Sequence, residues 1–226
     1  QTSNTNPTRW NGTGATIIYP LADRADQVFV RWEYYTGEAD RTTTAKTVTI
    51  PANSVGHRAF TAKWIDKVPY VVFSDGFTKM TFKYGDKTED AADPTKSVVT
   101  NIGNGSTQTP GWINYSDIKK VTTVVFDESF ATATPKSCYA WFYLFKALTS
   151  VEGLENLNTG AVTNMNSMFY GCEGLTTLDV NNFDVSKVTN TTSMFRSCTN
   201  LTTIYCDNII EAAFFMQTEY QCPVFV

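Results

Sequence analysis

A repeated pattern in the second half of the chain constrains the fold more than any other feature. Leu175, Leu178, Val180 and Phe183 recur 26 residues later as Leu201, Ile204, Cys206 and Ile209. Going back 27 residues, Leu175 and Leu178 find Leu148 and Val151, while Val180 and Phe183 find Leu154 and Leu157 at 26. The difference is one inserted residue near Glu152-Gly153, and a glycine at such a place suggests a bulge. Another 27 residues back stand Val121 and Val124, followed by Phe126. The connectors keep the same period. Met165, Met168, Phe169 and Cys172 map forward onto Thr191, Met194, Phe195 and Cys198, and back onto Cys138, Trp141, Phe142 and Phe145. Apolar residues three and four apart predict a short helical segment after each strand.

A unit of one short strand and one connector cannot bury its apolar face alone, whereas stacked copies form a continuous core. The period and the L-x-x-L-x-L wording are the leucine-rich repeat signature. Strands are expected near 121–126, 148–153, 175–180 and 201–206. Side chains alternate across a strand, so the residues flanking the apolar positions point outward. These are Thr123 and Val125, Ser150 and Glu152, Thr177 and Asp179, Thr203 and Tyr205. Stacking would gather them into a concave face, the surface on which solenoids bind extended partners. They are the candidate binding residues.

The first half carries a different signal. Val28, Val30, Trp32 and Tyr34 alternate with other residues, as do Val48 with Ile50 and Phe60 with Ala62 and Trp64, the period of half-buried strands. Turn residues fill 51–58. Val68–Phe73 and Phe77–Tyr84 flank Ser74-Asp75-Gly76, a hairpin signal. Residues 85–111 are polar and read as one long loop, closed by Trp112 and Ile113. The expected organisation is a disordered lead-in over 1–9, a small β-module over 10–66, a hairpin and long loop over 67–119 that caps the repeats, the repeats over 120–209, and a tail or cap over 210–226. The fold class expected is α+β, mostly β: a short leucine-rich repeat solenoid of about four coils, preceded by a small β-grasp-like module and a β-hairpin.

Composition narrows the chemistry. Threonine supplies 35 of 226 residues, which favours strands. Lys and Arg number 18 against 22 Asp and Glu, for a net charge of −4, and no basic run exists, so nucleic acid is not an expected partner. No stretch reaches the ~18 apolar residues of a membrane span. The single histidine, His57, lies in a polar turn, which leaves no HExxH site and no second histidine for a metal. Carboxylate pairs at Asp127-Glu128, Glu152/Glu155 and Glu89-Asp90 read as solvated surface, and no catalytic residue, metal site or cofactor is expected. Cys138, Cys172, Cys198 and Cys206 fall at repeat positions that are apolar elsewhere and read as small core residues. Cys172 and Cys198 should stack in adjacent units at about strand spacing, where a bridge is sterically conceivable but is expected to distort the turn. Cys222 lies outside the pattern, with a bridge to Cys206 as the alternative. Trp141, Phe142, Tyr143 and Phe145 share the register of Met168, Phe169 and Cys172 and read as core.

The continuous wording Val162-Thr163-Asn164-Met165, Ser167-Met168-Phe169-Tyr170-Gly171-Cys172, Leu175-Thr176-Thr177-Leu178-Asp179-Val180 and Asn182-Phe183-Asp184-Val185-Ser186-Lys187-Val188 closely resembles the BspA-like leucine-rich repeat surface proteins of Bacteroidales and mycoplasmas. Upstream, Arg31-Trp32, Thr47-Val48-Thr49-Ile50-Pro51-Ala52 and Phe60-Thr61-Ala62-Lys63-Trp64 resemble the Listeria–Bacteroides repeat, a small β-grasp-like module of bacterial surface proteins. The first resemblance implies secretion or display on the bacterial outer surface. It also implies non-enzymatic adhesion to a protein or glycan on host or bacterial surfaces. A structural spacer or assembly module of a larger surface system is the second expectation. A carbohydrate-active or peptidase role is disfavoured by the missing acid/base constellation. Oligomeric state and anchoring are not legible in the sequence.

Overall fold

The structure is a computed structural model that describes residues 15–18, 26–35, 40–45, 47–50, 60–105, 108–206 and 224–225. The expectations for residues 1–9, for His57, for Cys222 and for most of the 210–226 tail lie outside these residues. The chain divides into two units, residues 1–67 and 68–226.

In the first unit, β1 (Ala15–Ile18), β2 (Gln27–Tyr35), β3 (Asp40–Thr43), β4 (Thr47–Ile50) and β5 (Phe60–Asp66) form two antiparallel sheets. One pairs β1 with β4, and the other has β2 between β3 and β5. Phe29 opposes Trp64 and Arg31 opposes Lys63, so Val30 is an extra residue in β2. This bulge breaks the simple alternation read from the sequence and buries both Phe29 and Trp32, whose rings lie 5.4 Å apart. Trp64 packs edge-on against Phe29. The expected β-grasp-like module is corrected here: the described residues of this unit form two small sheets and contain no helix to lie across them.

The second unit begins with β6 (Val68–Ser74) and β7 (Lys79–Gly85), paired antiparallel from Val68–Gly85 to Ser74–Lys79. The segment read as one long loop holds α1 (Thr88–Ala92) and β8 (Ser97–Val99). Then come β9 (Thr123–Phe126), β10 (Ser150–Glu152), β11 (Thr177–Asp179), β12 (Thr203–Tyr205) and β13 (Val224–Phe225). One sheet runs β8-β6-β7-β9-β10, with β9 parallel to both β7 and β10. The other is β11-β12-β13, all parallel.

This arrangement overturns the expected α+β leucine-rich repeat solenoid. The four repeat strands do not line up as one sheet. β9 and β10 continue the hairpin sheet, while β11 and β12 belong to a separate one. Among the described residues α1 is the single α-helix, five residues long and outside the repeats. The molecule is mostly β, with few helices and several small sheets.

The connectors that were expected to be helical are chains of tight turns. The amides of Cys138, Ala140, Phe142 and Leu144 donate to the carbonyls of Asn164, Asn166, Met168 and Tyr170 in the next unit. Those of Met165, Ser167, Phe169 and Gly171 donate to Asn190, Thr192, Met194 and Arg196. Other amides close three-residue turns within each unit, such as Trp141 to Cys138 and Tyr143 to Ala140. A helix would aim every amide along one axis. Here, left-handed backbone at Ala140 and Leu144, Ser167 and Gly171, and Ser193 and Ser197 turns the amides outward at matching places. The spacing of inward side chains is the same for such turns as for a helix, which is why the sequence pattern suggested one.

Phe82 of β7 is a hub of the core. Its ring stacks on Phe126 at 4.5 Å and on Trp141 at 4.9 Å, and meets Trp112, Phe130 and Phe142 edge-on. Phe142, Phe169 and Phe195 continue the column at 5.1 and 5.7 Å. Trp141, Phe142 and Phe145 are fully buried, as their register implied, while Tyr143 is half-buried and stacks on Tyr170.

Candidate functional site

Each repeat strand packs its central apolar residue against the core and turns the neighbours outward, although Val151 of β10 is only half-buried. Val124, Leu178 and Ile204 are buried. Thr123, Val125, Ser150 and Thr203 are half-buried, and Glu152, Thr177, Asp179 and Tyr205 are exposed. Register brings the eight candidates together in two groups. Thr123 lies opposite Ser150 and Val125 opposite Glu152. In the other sheet Thr177 lies opposite Thr203 and Asp179 opposite Tyr205. The two groups stand on different sheets rather than in one ladder.

The first group extends onto the hairpin. Lys79 is in register with Thr123, and Thr81 with Val125. Neither belongs to the repeat. Their one sequence signal is alternation with the buried Met80 and Phe82. In the second group Tyr205 is 44% exposed, a large ring left to solvent on a short strand. Its neighbour Asp179 accepts a hydrogen bond from the Asn181 amide at 3.0 Å, which fixes the carboxylate at the strand end.

Threonine has two distinct uses. The Thr122 hydroxyl donates to the Thr78 carbonyl, Thr149 to Thr122 and Thr202 to Thr176, each at 3.2 Å. On the turns, Thr163 donates to Lys136 and Thr189 to Thr163. These hydroxyls tie one unit to the next through the backbone. The second threonine of each pair, at 123, 177 and 203, is the one that flanks the buried strand residue.

A polar cluster escaped the sequence reading, which placed Asp90 on the solvated surface. Asp90 is buried. Its Oδ2 accepts from Lys83 Nζ at 2.7 Å and from the Tyr70 hydroxyl at 3.1 Å, and its Oδ1 accepts from Lys96 Nζ at 2.9 Å. Lys96 also pairs with Asp93 at 3.3 Å. Burial alone would raise the Asp90 carboxyl, but hydrogen bonds from Lys83 and Lys96 overcome this and hold it below its ordinary value. Burial, followed by the Asp90 charge, pushes the Tyr70 phenol up. With both oxygens occupied by cations, Asp90 is a clamp that ties α1 to β6 and β7 rather than a base awaiting a proton. Nothing periodic marks these residues in the sequence.

Cys138, Cys172 and Cys206 are buried, and Cys198 is half-buried. The alternative Cys206–Cys222 bridge involves a residue outside the described ones. Among the described residues no group of three or more His, Cys, Asp or Glu is placed to hold a metal ion. No helix among them is long and apolar enough to cross a membrane.

Residues 115–213 match the family model described as a Mycoplasma protein of unknown function, DUF285. No curated protein and no solved structure matches the chain. The matched segment takes in all four repeat strands and the turns between them.

Proposed function

We propose that the chain is a non-enzymatic binding protein, secreted or displayed on a bacterial cell surface, that engages a protein or glycan on host or bacterial surfaces. The observation that carries this reading is the pairing of exposed Tyr205 with exposed Asp179 on adjacent strands. An aromatic ring beside a carboxylate offers a partner both contact area and a hydrogen-bond acceptor. The resemblance of the repeat wording to BspA-like surface proteins supports the location and the adhesive role, and the match to a Mycoplasma family is consistent with the location. A fold alone does not specify a ligand, so the partner has to be found by experiment. The purified chain is screened against matrix proteins and glycans, and each hit is re-measured with Asp179→Ala and Tyr205→Ala. Saturable binding weakened at least about tenfold by either change supports the reading, a typical loss for an interface anchor. Binding untouched by both removes this surface from consideration.

The second reading is a structural spacer or assembly module of a larger surface system. The hydroxyls of Thr122, Thr149 and Thr202 favour it, because they are spent on holding units together. A spacer binds no matrix protein or glycan saturably, so the same screen separates the two.

A further inference from the structure

Cys172 and Cys198 occupy the same place in successive units. The Cys172 thiol donates to the Phe142 carbonyl at 3.2 Å, and the Cys198 thiol donates to the Phe169 carbonyl at 2.9 Å. Phe142 and Phe169 are themselves equivalent positions, with rings tilted against each other at 5.1 Å. The two thiols are therefore one above the other in a column, and their side chains are hydrogen-bonding neighbours. The backbones beneath them are joined by the Gly171 amide, which donates to the Arg196 carbonyl at 2.8 Å. Ladder-type spacing of about 4.8 Å lies within the ~4.4–6.8 Å range of Cα separations that a disulfide spans. Access is unequal: Cys172 is fully buried, whereas Cys198 is half-buried.

We propose that Cys172 and Cys198 form an inter-unit dithiol that a low-molecular-weight disulfide closes into a bridge, with Cys198 as the entry thiol and Cys172 as the resolving thiol. The Cys198 thiolate attacks one sulfur of the small disulfide. A mixed disulfide forms, and one small thiolate leaves. Cys172 then gives its proton to water and attacks the Cys198 sulfur, and the second small thiolate leaves. Two electrons pass from the protein pair to the small disulfide, which ends as two thiols. Burial, together with the neighbouring Cys198, pushes the Cys172 thiol well up, so resolution is the slow step and the adduct on Cys198 accumulates first. The bridge fixes the unit that contains β11 to the unit that contains β12.

The test treats the folded full chain with oxidised glutathione, quenches with acid at intervals and alkylates free thiols under denaturing conditions. Lys187 and Arg196 lie between the two cysteines, and Tyr205 lies between Cys198 and Cys206. Digestion with trypsin and chymotrypsin therefore separates them for non-reducing peptide mapping. The expected result is an early glutathione adduct on Cys198, then a linked peptide pair holding Cys172 and Cys198. The intact mass falls by two hydrogens and the Tm of the oxidised chain rises. Cys172→Ser should leave the adduct on Cys198 unresolved. Three results overturn the proposal: an adduct that persists on Cys198 in the parent while Cys172 stays alkylatable, a bridge from Cys198 to Cys206 or Cys222, or a Cys198 that does not react. Mapping of the parent chain decides the question even if the variant fails to fold.

Discussion

Trp112 and Trp141 are joined by a buried hydrogen bond: the Trp112 indole Nε1–H donates to the Trp141 carbonyl at 2.8 Å. The Trp141 indole in turn donates to the Ile102 carbonyl at 2.8 Å. Both rings are fully buried, so the segment between β8 and β9 is pinned to the turns by aromatic packing and two directed bonds. Trp141→Phe removes one donor, leaves the Ile102 carbonyl without it and opens a void beside Phe82. The expected loss is about 2–4 kcal/mol in chemical denaturation. A loss below about 0.5 kcal/mol would show that the indole bond contributes nothing beyond ring volume.

The Asp90 clamp sets a pH dependence. Its carboxyl titrates below its ordinary value in the folded chain. Its contribution is therefore complete above the unfolded value of about 4 and fades as pH falls through the depressed folded value. Asp90→Asn leaves Lys83 and Lys96 without their shared counter-charge. It should cost about 2–3 kcal/mol at neutral pH, at the low end for a buried pair because both lysines are partly solvated. Unfolding free energies of parent and variant measured from neutral to acid pH should converge as Asp90 protonates. A gap that stays constant with pH refutes the clamp.

Left-handed backbone at equivalent positions makes opposite predictions for glycine and serine. Gly171 has φ +70°, and a Cβ there would lie 2.7 Å from Leu144 Cδ2. Gly171→Ala should destabilise by about 1–2 kcal/mol. Ser197 has φ +62° at the matching place one unit on and is exposed. Ser197→Gly should stabilise by about 0.5–1 kcal/mol, as relief of the Cβ strain outweighs the entropy of glycine. Thermal melts of the two variants should move in opposite directions.

The paired threonines can be separated by removing hydroxyls at constant shape. Thr122→Val, Thr149→Val and Thr202→Val each lose a bond to a carbonyl of the preceding segment and should cost about 0.5–1 kcal/mol. Thr123→Val, Thr177→Val and Thr203→Val should stay within about 0.5 kcal/mol of the parent. Denaturation midpoints of the six variants check this division. Equal effects in both sets would mean that the ladder bonds do not stabilise the fold.

The repeat period made the inward residues legible, because burial must recur wherever the chain stacks on itself. Val124, Leu178 and Ile204 are buried as the L-x-x-L-x-L wording implies. The outward positions followed from the same alternation. Their division between two sheets did not, since backbone pairing leaves no mark on side-chain type. The turn conformation was hidden for a related reason. Trp141, Phe142 and Phe145 report which way the chain faces, whereas the direction of an amide depends on φ at Ala140 and Leu144. β7 joined β9 through packing of Met80 and Phe82 in register with Val124 and Phe126, a match between a hairpin and a repeat that share no wording. Asp90 looked solvated because its partners, Lys83 and Lys96, are brought to it only by the fold.

The alternating amides of the turns have a consequence for how such a chain changes length. Each turn holds part of its own hydrogen bonds and lends the rest to its neighbour, so half a turn has nothing to fit against. Growth or trimming by a whole period keeps donors facing acceptors, whereas a change of any other length sets them out of step. The tolerated exception is already present: the extra residue that separates a spacing of 27 from one of 26 is taken up beside Gly153, where φ is +66°. The chain behaves like a text edited by the line, with a margin beside Gly153 where one letter has been added.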